Sequence, residues 1–407
     1  MKIIGPFKQV VTLANIPLRG AVSDESLEII EEAGILIEQG KVQIVDNFLT
    51  LTSRFPKVEV QKIEGEKVAF PAWVDCHTHI CFAGNRANDF AMRNSGKTYL
   101  EIATSGGGIW SSVKHTRQAT EDELIKNLLT RVDFLVKQGI TTIEVKSGYG
   151  LKLDAELKML RAINHVQELV KPQIVPTCLA AHTLPKDFDG DSREYLDYVL
   201  HYILPVVQEE DLSNRVDIFI EQSAFQPEES RWFLEEAKKF GFDITVHADQ
   251  FTPGSSRIAV EVGAKSADHL EATSEEDIQY LAKSDTVAVA LPGASIGLGD
   301  SFAPARKLLD AGAILAIATD WNPGSAPMGN LITQASILAS FQKLSTAEVL
   351  SAITFRAAHA LGIQDKGRLS KDYWADMVCY DTDNFQDVIY RQGGLQASEV
   401  YIKGEKY

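Results

Sequence analysis

Residues 68–79 read Val-Ala-Phe-Pro-Ala-Trp-Val-Asp-Cys-His-Thr-His, an apolar run that ends in two histidines one residue apart. In an extended strand, residues two apart point to the same side, so the imidazoles of His77 and His79 can reach one ion. Taken alone, such a pair is weak evidence for a metal. Its weight comes from what the following runs repeat.

Further strand-like runs follow at Thr141–Lys146, Gln173–His182, Val216–Glu221, Asp243–His247, Ser266–Leu270, Thr286–Leu291 and Ile314–Asp320. Between them Glu121–Lys137, Asp154–Val170, Glu228–Phe240, Glu275–Lys283 and Pro304–Ala311 carry helical spacing and acidic first turns. This alternation predicts an α/β fold of the (β/α)8 TIM-like barrel type, although pattern alone also fits a doubly wound open sheet. A barrel keeps its chemistry at the carboxyl ends of its strands. Polar residues fall there: the fifth run ends at His247, the sixth at Asp268-His269 and the eighth at Thr319-Asp320.

Imidazoles joined by one carboxylate suit Zn²⁺ or a comparable first-row ion, with room left for a water of lowered pKa. Either His247 or His269 singly would read as a satisfied structural group; the ordered set reverses that reading. By contrast, His115, His165, His201 and His359 lie in helix-like or loop contexts and are assigned no chemistry.

Outside the barrel run, residues 1–67 read as short extended pieces, such as Gly34–Glu38 and Val42–Val45, with a helical period only over Asp24–Ala33. The same texture returns from residue 366, at Gly367–Leu369, Ala375–Tyr380 and Val400–Lys403. The two ends, 1–67 and 366–407, are expected to form one small composite β-sandwich domain beside a barrel of residues 68–365.

Composition narrows the function. Of 407 residues, 45% are hydrophobic and 24% charged, the proportions of a soluble globular enzyme. With 40 basic and 56 acidic residues the formal charge is −16, which repels a phosphate backbone and argues against nucleic acid. An anionic substrate would need a local positive centre, either an ion or an arginine. No apolar run is long enough for a membrane span, and residues 1–18 lack a signal-peptide pattern. Cys76, Cys81, Cys178 and Cys379 form no C-x-x-C pair, so buried free thiols and a reducing, cytoplasmic setting are expected.

The ordered set resembles the amidohydrolase superfamily: His77, His79, His247, His269 and Asp320 match its strand-1 H-x-H, strand-5 His, strand-6 His and strand-8 Asp. Within it, PAWVDCHTH, FAGNR, YLEIATSGGGI, EVKSGYGL, PTCLAAHTLP, HADQF, SADHL and TDWNPGSAP resemble the imidazolonepropionase family in content and order. That resemblance implies one Zn²⁺ or iron ion per subunit on His77, His79, His247 and Asp320. The fourth strand, Val216–Glu221, offers no lysine to bridge a second ion.

It further implies hydrolysis of the cyclic amide of 4-imidazolone-5-propanoate to N-formimidoyl-L-glutamate, by a homodimer. Water activated by the ion attacks the ring carbonyl, Asp320 carries the proton to the leaving nitrogen, and His269 polarises the reacting groups. Arg86 holds the propanoate. Tyr99, Tyr149, His182 and Gln250 contact the ring or tail, with His182 and Gln250 beside the reacting atoms, and Asn322, Gly324 and Ser325 face the product's carboxylates. Gln250 stands where some relatives carry Glu, and an amide cannot act as a base. Gly106-Gly107-Gly108 has no P-loop spacing and is read as a loop over the barrel mouth. Two rival readings are another mononuclear amidohydrolase or deaminase of a small heterocycle, and a catalytically silent scaffold.

Overall fold

The computed structural model describes residues 1–98, 101–102 and 105–407. The chain opens with β1 (Lys2–Val11), β2 (Ile29–Glu38), β3 (Lys41–Asn47), β4 (Glu59–Lys62) and β5 (Val68–Pro71). It then lays down β6 (Trp73–Asp75), β7 (Ile140–Lys146), β8 (Gln173–Ala181), β9 (Arg215–Phe219), β10 (Asp243–Ala248), β11 (Ser266–His269), β12 (Val287–Ala290) and β13 (Leu315–Ile317). It closes with β14 (Met377–Tyr380), β15 (Ala397–Ile402) and β16 (Glu405–Lys406).

Strands β6 to β13 pair side by side in chain order, and every pairing is parallel. A doubly wound sheet would reverse its strand order part-way; this one never does. Beyond the strand ends, Asp320 N donates to His77 O at 3.0 Å and His79 N to Trp321 O at 3.0 Å. A parallel bridge between Thr78 and Trp321 completes the ring. The fold is therefore a closed (β/α)8 barrel, and the hydrogen bonds that close it belong to the residues carrying three of the expected ligands.

Strands from both chain ends make a second sheet in the order β16-β15-β14-β5-β1-β2-β3, with β4 also paired to β1. It curls until the β2–β3 hairpin meets the segment before β14, where Val42 N donates to Tyr373 O and Ala375 N to Gly40 O. The curl encloses a small core of its own, including Phe7, Ile35, Met377 and Tyr401.

Three expectations need correction. The run Val68–His79 is not one strand: Val68–Pro71 pairs with β1 and β14 of the end sheet, and only Trp73–Asp75 enters the barrel. The helical period over Asp24–Ala33 yields a single 3-10 turn at Asp24–Ser26, because Ile29 and Ile30 pair with Val11 and Val10. A helix at Phe48–Arg54, capped by Asn47 Oδ1 on the amides of Leu49 and Thr50, lies where only extended pieces were expected.

Candidate active site and metal centre

His77 and His79 follow β6, His247 is the penultimate residue of β10, His269 ends β11, and Asp320 lies three residues past β13. Parallel strands in register bring these tips to one rim. Both His269 (φ 88°) and Asp320 (φ 51°) hold the left-handed conformation, which costs a non-glycine residue of order 1–3 kcal/mol. The surrounding packing enforces these strained backbones where the side chains must converge.

Separations among their donor atoms identify the centre. Nε2 of His79 is 3.2 Å from Nε2 of His77 and 3.2 Å from Nε2 of His247. Asp320 Oδ1 lies 3.4 Å from His79 Nε2 and 3.6 Å from His77 Nε2. Ligands about 2.1 Å from a tetrahedral ion stand about 3.4 Å apart. The donors therefore sit where a shared cation would place them.

The tautomer of His77 agrees with the distances. His77 Nδ1 donates to Asp268 Oδ2 at 2.7 Å, which leaves the Nε2 lone pair facing the centre. His247 Nδ1 lies 2.9 Å from Asp217 Oδ2, close but too poorly aligned for a full hydrogen bond. Burial holds His77 and His79 well below the usual imidazole range, helped at His77 by the Lys146 charge and then the neighbouring rings, and at His79 by the rings of His247 and His182. Burial likewise pushes His247 down to about 4, against the pull of Asp217. Neutral imidazoles are the ligand form. Asp320 is pushed up to about 7 by burial, with His269 opposing. His269 closes a second donor group with His77 and Asp320, within 4.8 Å of one another. Its Nδ1 is 3.6 Å from Glu271 Oε2, beyond hydrogen-bond reach.

Beneath this rim lies a charged layer that the sequence reading missed. Lys146 is fully buried, with Nζ 2.7 Å from Glu144, 2.8 Å from Asp217 and 4.0 Å from Asp268. Glu144 Oε2 accepts from Thr78 N at 3.1 Å, and Asp75 accepts from Thr319 N and Oγ1 at 3.0 and 2.6 Å. Each ligand-bearing segment is thus pinned by a buried carboxylate. The available signal was the presence of charged residues inside runs that otherwise read as buried strands. Asp268→Asn is expected to weaken metal binding about 10–100-fold, as removal of an orienting carboxylate does. Competition with a chelator measures it; unchanged affinity would deny Asp268 that role.

Above the ligands, an inner cavity of about 100 Å³ is lined by His79, Arg86, Tyr149, His182, His247, Gln250, His269, Asp320, Asn322 and Ser325, among others. It shares Arg86, His182, Gln250 and Ser325 with an outer chamber of about 500 Å³. Arg86 Nε donates to Asp89 Oδ2 at 2.7 Å, and Asp89 also accepts from Gly108 N at 2.8 Å. Gly324 touches this guanidinium so closely that a Cβ there would collide with it.

His182 lies nearly parallel to the His79 ring at 5.4 Å, with Nδ1 3.0 Å from Gly148 O. The turn carrying Tyr149 is shaped by Glu156, whose buried carboxylate accepts from the amides of Gly148, Gly150 and Leu151. Asn322 Oδ1 accepts from the amides of Gly324 and Ser325, so its side chain builds the loop it belongs to. Tyr99 lies outside the described residues. His115, His165 and His201 are exposed on helical segments away from the rim, and the four cysteines are buried and free.

The amidohydrolase family pattern matches residues 68–406. An imidazolonepropionase of Bdellovibrio bacteriovorus is 40% identical over 95% of this chain and 91% of its own. The chain belongs to the imidazolonepropionase family of amidohydrolases. Another member, from Thermoanaerobacter pseudethanolicus, is 38% identical over 99% of this chain and 97% of its own. Fold likeness reaches further than the family. Atrazine chlorohydrolase from Arthrobacter aurescens, solved with zinc, superposes with a TM-score of 0.74 at 19% identity, covering 100% of this chain and 95% of that one. Guanine deaminase from C. acetobutylicum gives 0.68 at 15% identity, covering 100% and 99%.

Proposed function

We propose that this chain hydrolyses the ring amide of 4-imidazolone-5-propanoate to N-formimidoyl-L-glutamate. As a hydrolase of cyclic amide C–N bonds it needs an electrophilic centre, a proton carrier and a grip on the substrate. The observation that carries the reading is that one cavity is lined by three of the four donors, His79, His247 and Asp320, together with Arg86. A substrate that joins a polar ring to a carboxylate tail fits that pairing.

His77, His79, His247 and Asp320 would hold one ion, zinc or iron, since imidazole and carboxylate suit either. When bound, that ion would polarise the carbonyl and lower the pKa of water. Asp320 would carry a proton between water and the departing ring nitrogen. His269, beside it, would donate toward the carbonyl oxygen as charge develops there. Tyr149 and His182 would hold the ring, and Gln250, an amide, would hydrogen-bond it without acting as a base.

Arg86 would take the propanoate: with Nε engaged by Asp89, its Nη groups have no protein acceptor among the described residues. Gly324 and Ser325, set by Asn322, place their loop against that cation, next to where a new carboxylate would appear. The resemblance supports a homodimer acting in the cytoplasm. No helix among the described residues is long and apolar enough to cross a membrane.

The direct test is to incubate metal-replete protein with fresh imidazolonepropanoate and follow formimidoyl-glutamate; no product would end this reading. Arg86→Ala is expected to raise KM about 10–100-fold, the worth of a charge-assisted pair, with a much smaller change in kcat. A deaminase of a neutral heterocycle would leave KM unmoved.

A further inference from the structure

Helix Ala87–Asn94, which follows Arg86, carries a second guanidinium into the same region. Arg93 lines the outer chamber beside Arg86 and Asp89. Its Nε and Nη2 are buried from solvent and have no hydrogen-bond partner among the described residues. Both nitrogens are obligate donors, and leaving buried donors of a charged group unpaired is unfavourable. The neighbouring carboxylate does not relieve them: Asp89 Oδ2 is occupied by Arg86 Nε and by the amide of Gly108.

Charge around the chamber has the same direction. Arg86 and Arg93 face one carboxylate, Asp89, and the remaining lining cation, Lys97, pairs with Glu101 at 3.0 Å in an exposed ion pair. Two guanidinium groups against one carboxylate leave a positive patch in a protein whose formal charge is −16. A structural arginine would be expected to close its fork on a carbonyl or carboxylate. This one leaves two nitrogens unengaged among the described residues, while the residue itself lines a chamber that adjoins the inner cavity.

We propose that Arg93 is a second carboxylate-binding position, in the outer chamber, which captures an anionic substrate before Arg86 receives its tail. The inference rests on the reading that the substrate carries a carboxylate. Its consequence is kinetic: a fixed positive charge at the entrance raises the rate of encounter with an anion, and salt screens that gain.

Two measurements separate this claim from the assigned reaction. In the first, glutarate is titrated into the metal-replete protein by calorimetry, so that no turnover is needed. Arg93→Met should bind it about tenfold more weakly than the parent, the low end of what a charge-assisted pair contributes, and Arg93→Lys should recover part of the loss. In the second, kcat/KM for imidazolonepropanoate is followed against ionic strength. The parent should lose activity steeply with salt, whereas Arg93→Met should start lower and decline less, with kcat much less affected.

Glutarate binding that is equal in parent and Arg93→Met, or absent from both, would overturn the proposal. An unaltered salt slope in Arg93→Met would also overturn it. Turnover absent from the parent while glutarate binding still depends on Arg93 would instead overturn the assigned reaction and leave the carboxylate position standing.

Discussion

Asp320→Asn is expected to lower kcat by about 10³-fold or more, because it removes the proposed proton carrier and a proposed charged ligand in one substitution. Asparagine matches aspartate in size, and the backbone bond from residue 320 to His77 O that helps close the barrel is retained. What changes is the chemistry. A carboxylate at this position can both accept and release a proton. An amide does neither. The side chain also stands 3.4 Å from His79 Nε2, inside the donor set, so the variant should bind its ion more weakly. Elemental analysis of each sample separates the two effects. If Asp320→Asn retained full metal and lost less than about tenfold in kcat, the proton would have to travel by another group.

Legibility in the sequence divided by the kind of constraint. His77, His79, His247, His269 and Asp320 could be read because a parallel barrel forces ligands to recur at strand ends, and periodicity reveals strand ends. The carboxylates that orient them could not. Asp217 and Asp268 look like any acid in a string, and their pairing with Lys146 exists only once the barrel closes and the alternate strands β7, β9 and β11 turn these side chains toward one another. Glu156 is equally mute: it sits on a helix, yet its carboxylate builds the turn that presents Tyr149.

Elsewhere, local signals lost to long-range ones. The helical spacing over Asp24–Ala33 yielded to pairing with β1, since a strand edge offers each backbone group a partner that a short isolated helix cannot match. Phe48–Arg54 escaped notice because two threonines and a length of seven residues give a weak helical signal, and its stop-and-start rests on the Asn47 cap. The run Val68–His79 hid a change of sheet at Ala72, where no charge or glycine marks the junction between β5 and β6. Continuous apolar runs report burial and leave open which sheet does the burying.

Lys146→Met carries the largest expected loss of stability, about 3–5 kcal/mol, the range for breaking a buried ion pair from one side. Its ammonium stands among Glu144, Asp217 and Asp268, all buried, and among the described residues no other cation lies within ion-pair distance of these carboxylates apart from His77 and His247. Methionine fills a similar volume but leaves negative charges facing one another. Glu144 already sits above the usual carboxylate range because of its burial, with Lys146 as the main opposing influence. Losing Lys146 raises it further. A carboxyl whose folded pKa exceeds its unfolded value keeps a proton that the unfolded chain has released, so stability falls as pH rises between those two values. The deficit of Lys146→Met should therefore be smaller near about pH 5 than near about pH 8, where Glu144 must ionise unpaired or stay protonated at a cost. Urea unfolding of parent and variant at both pH values measures it. A loss below about 1 kcal/mol, or one that does not grow with pH, would mean that the layer under the metal rim is held by packing and that its charges contribute little.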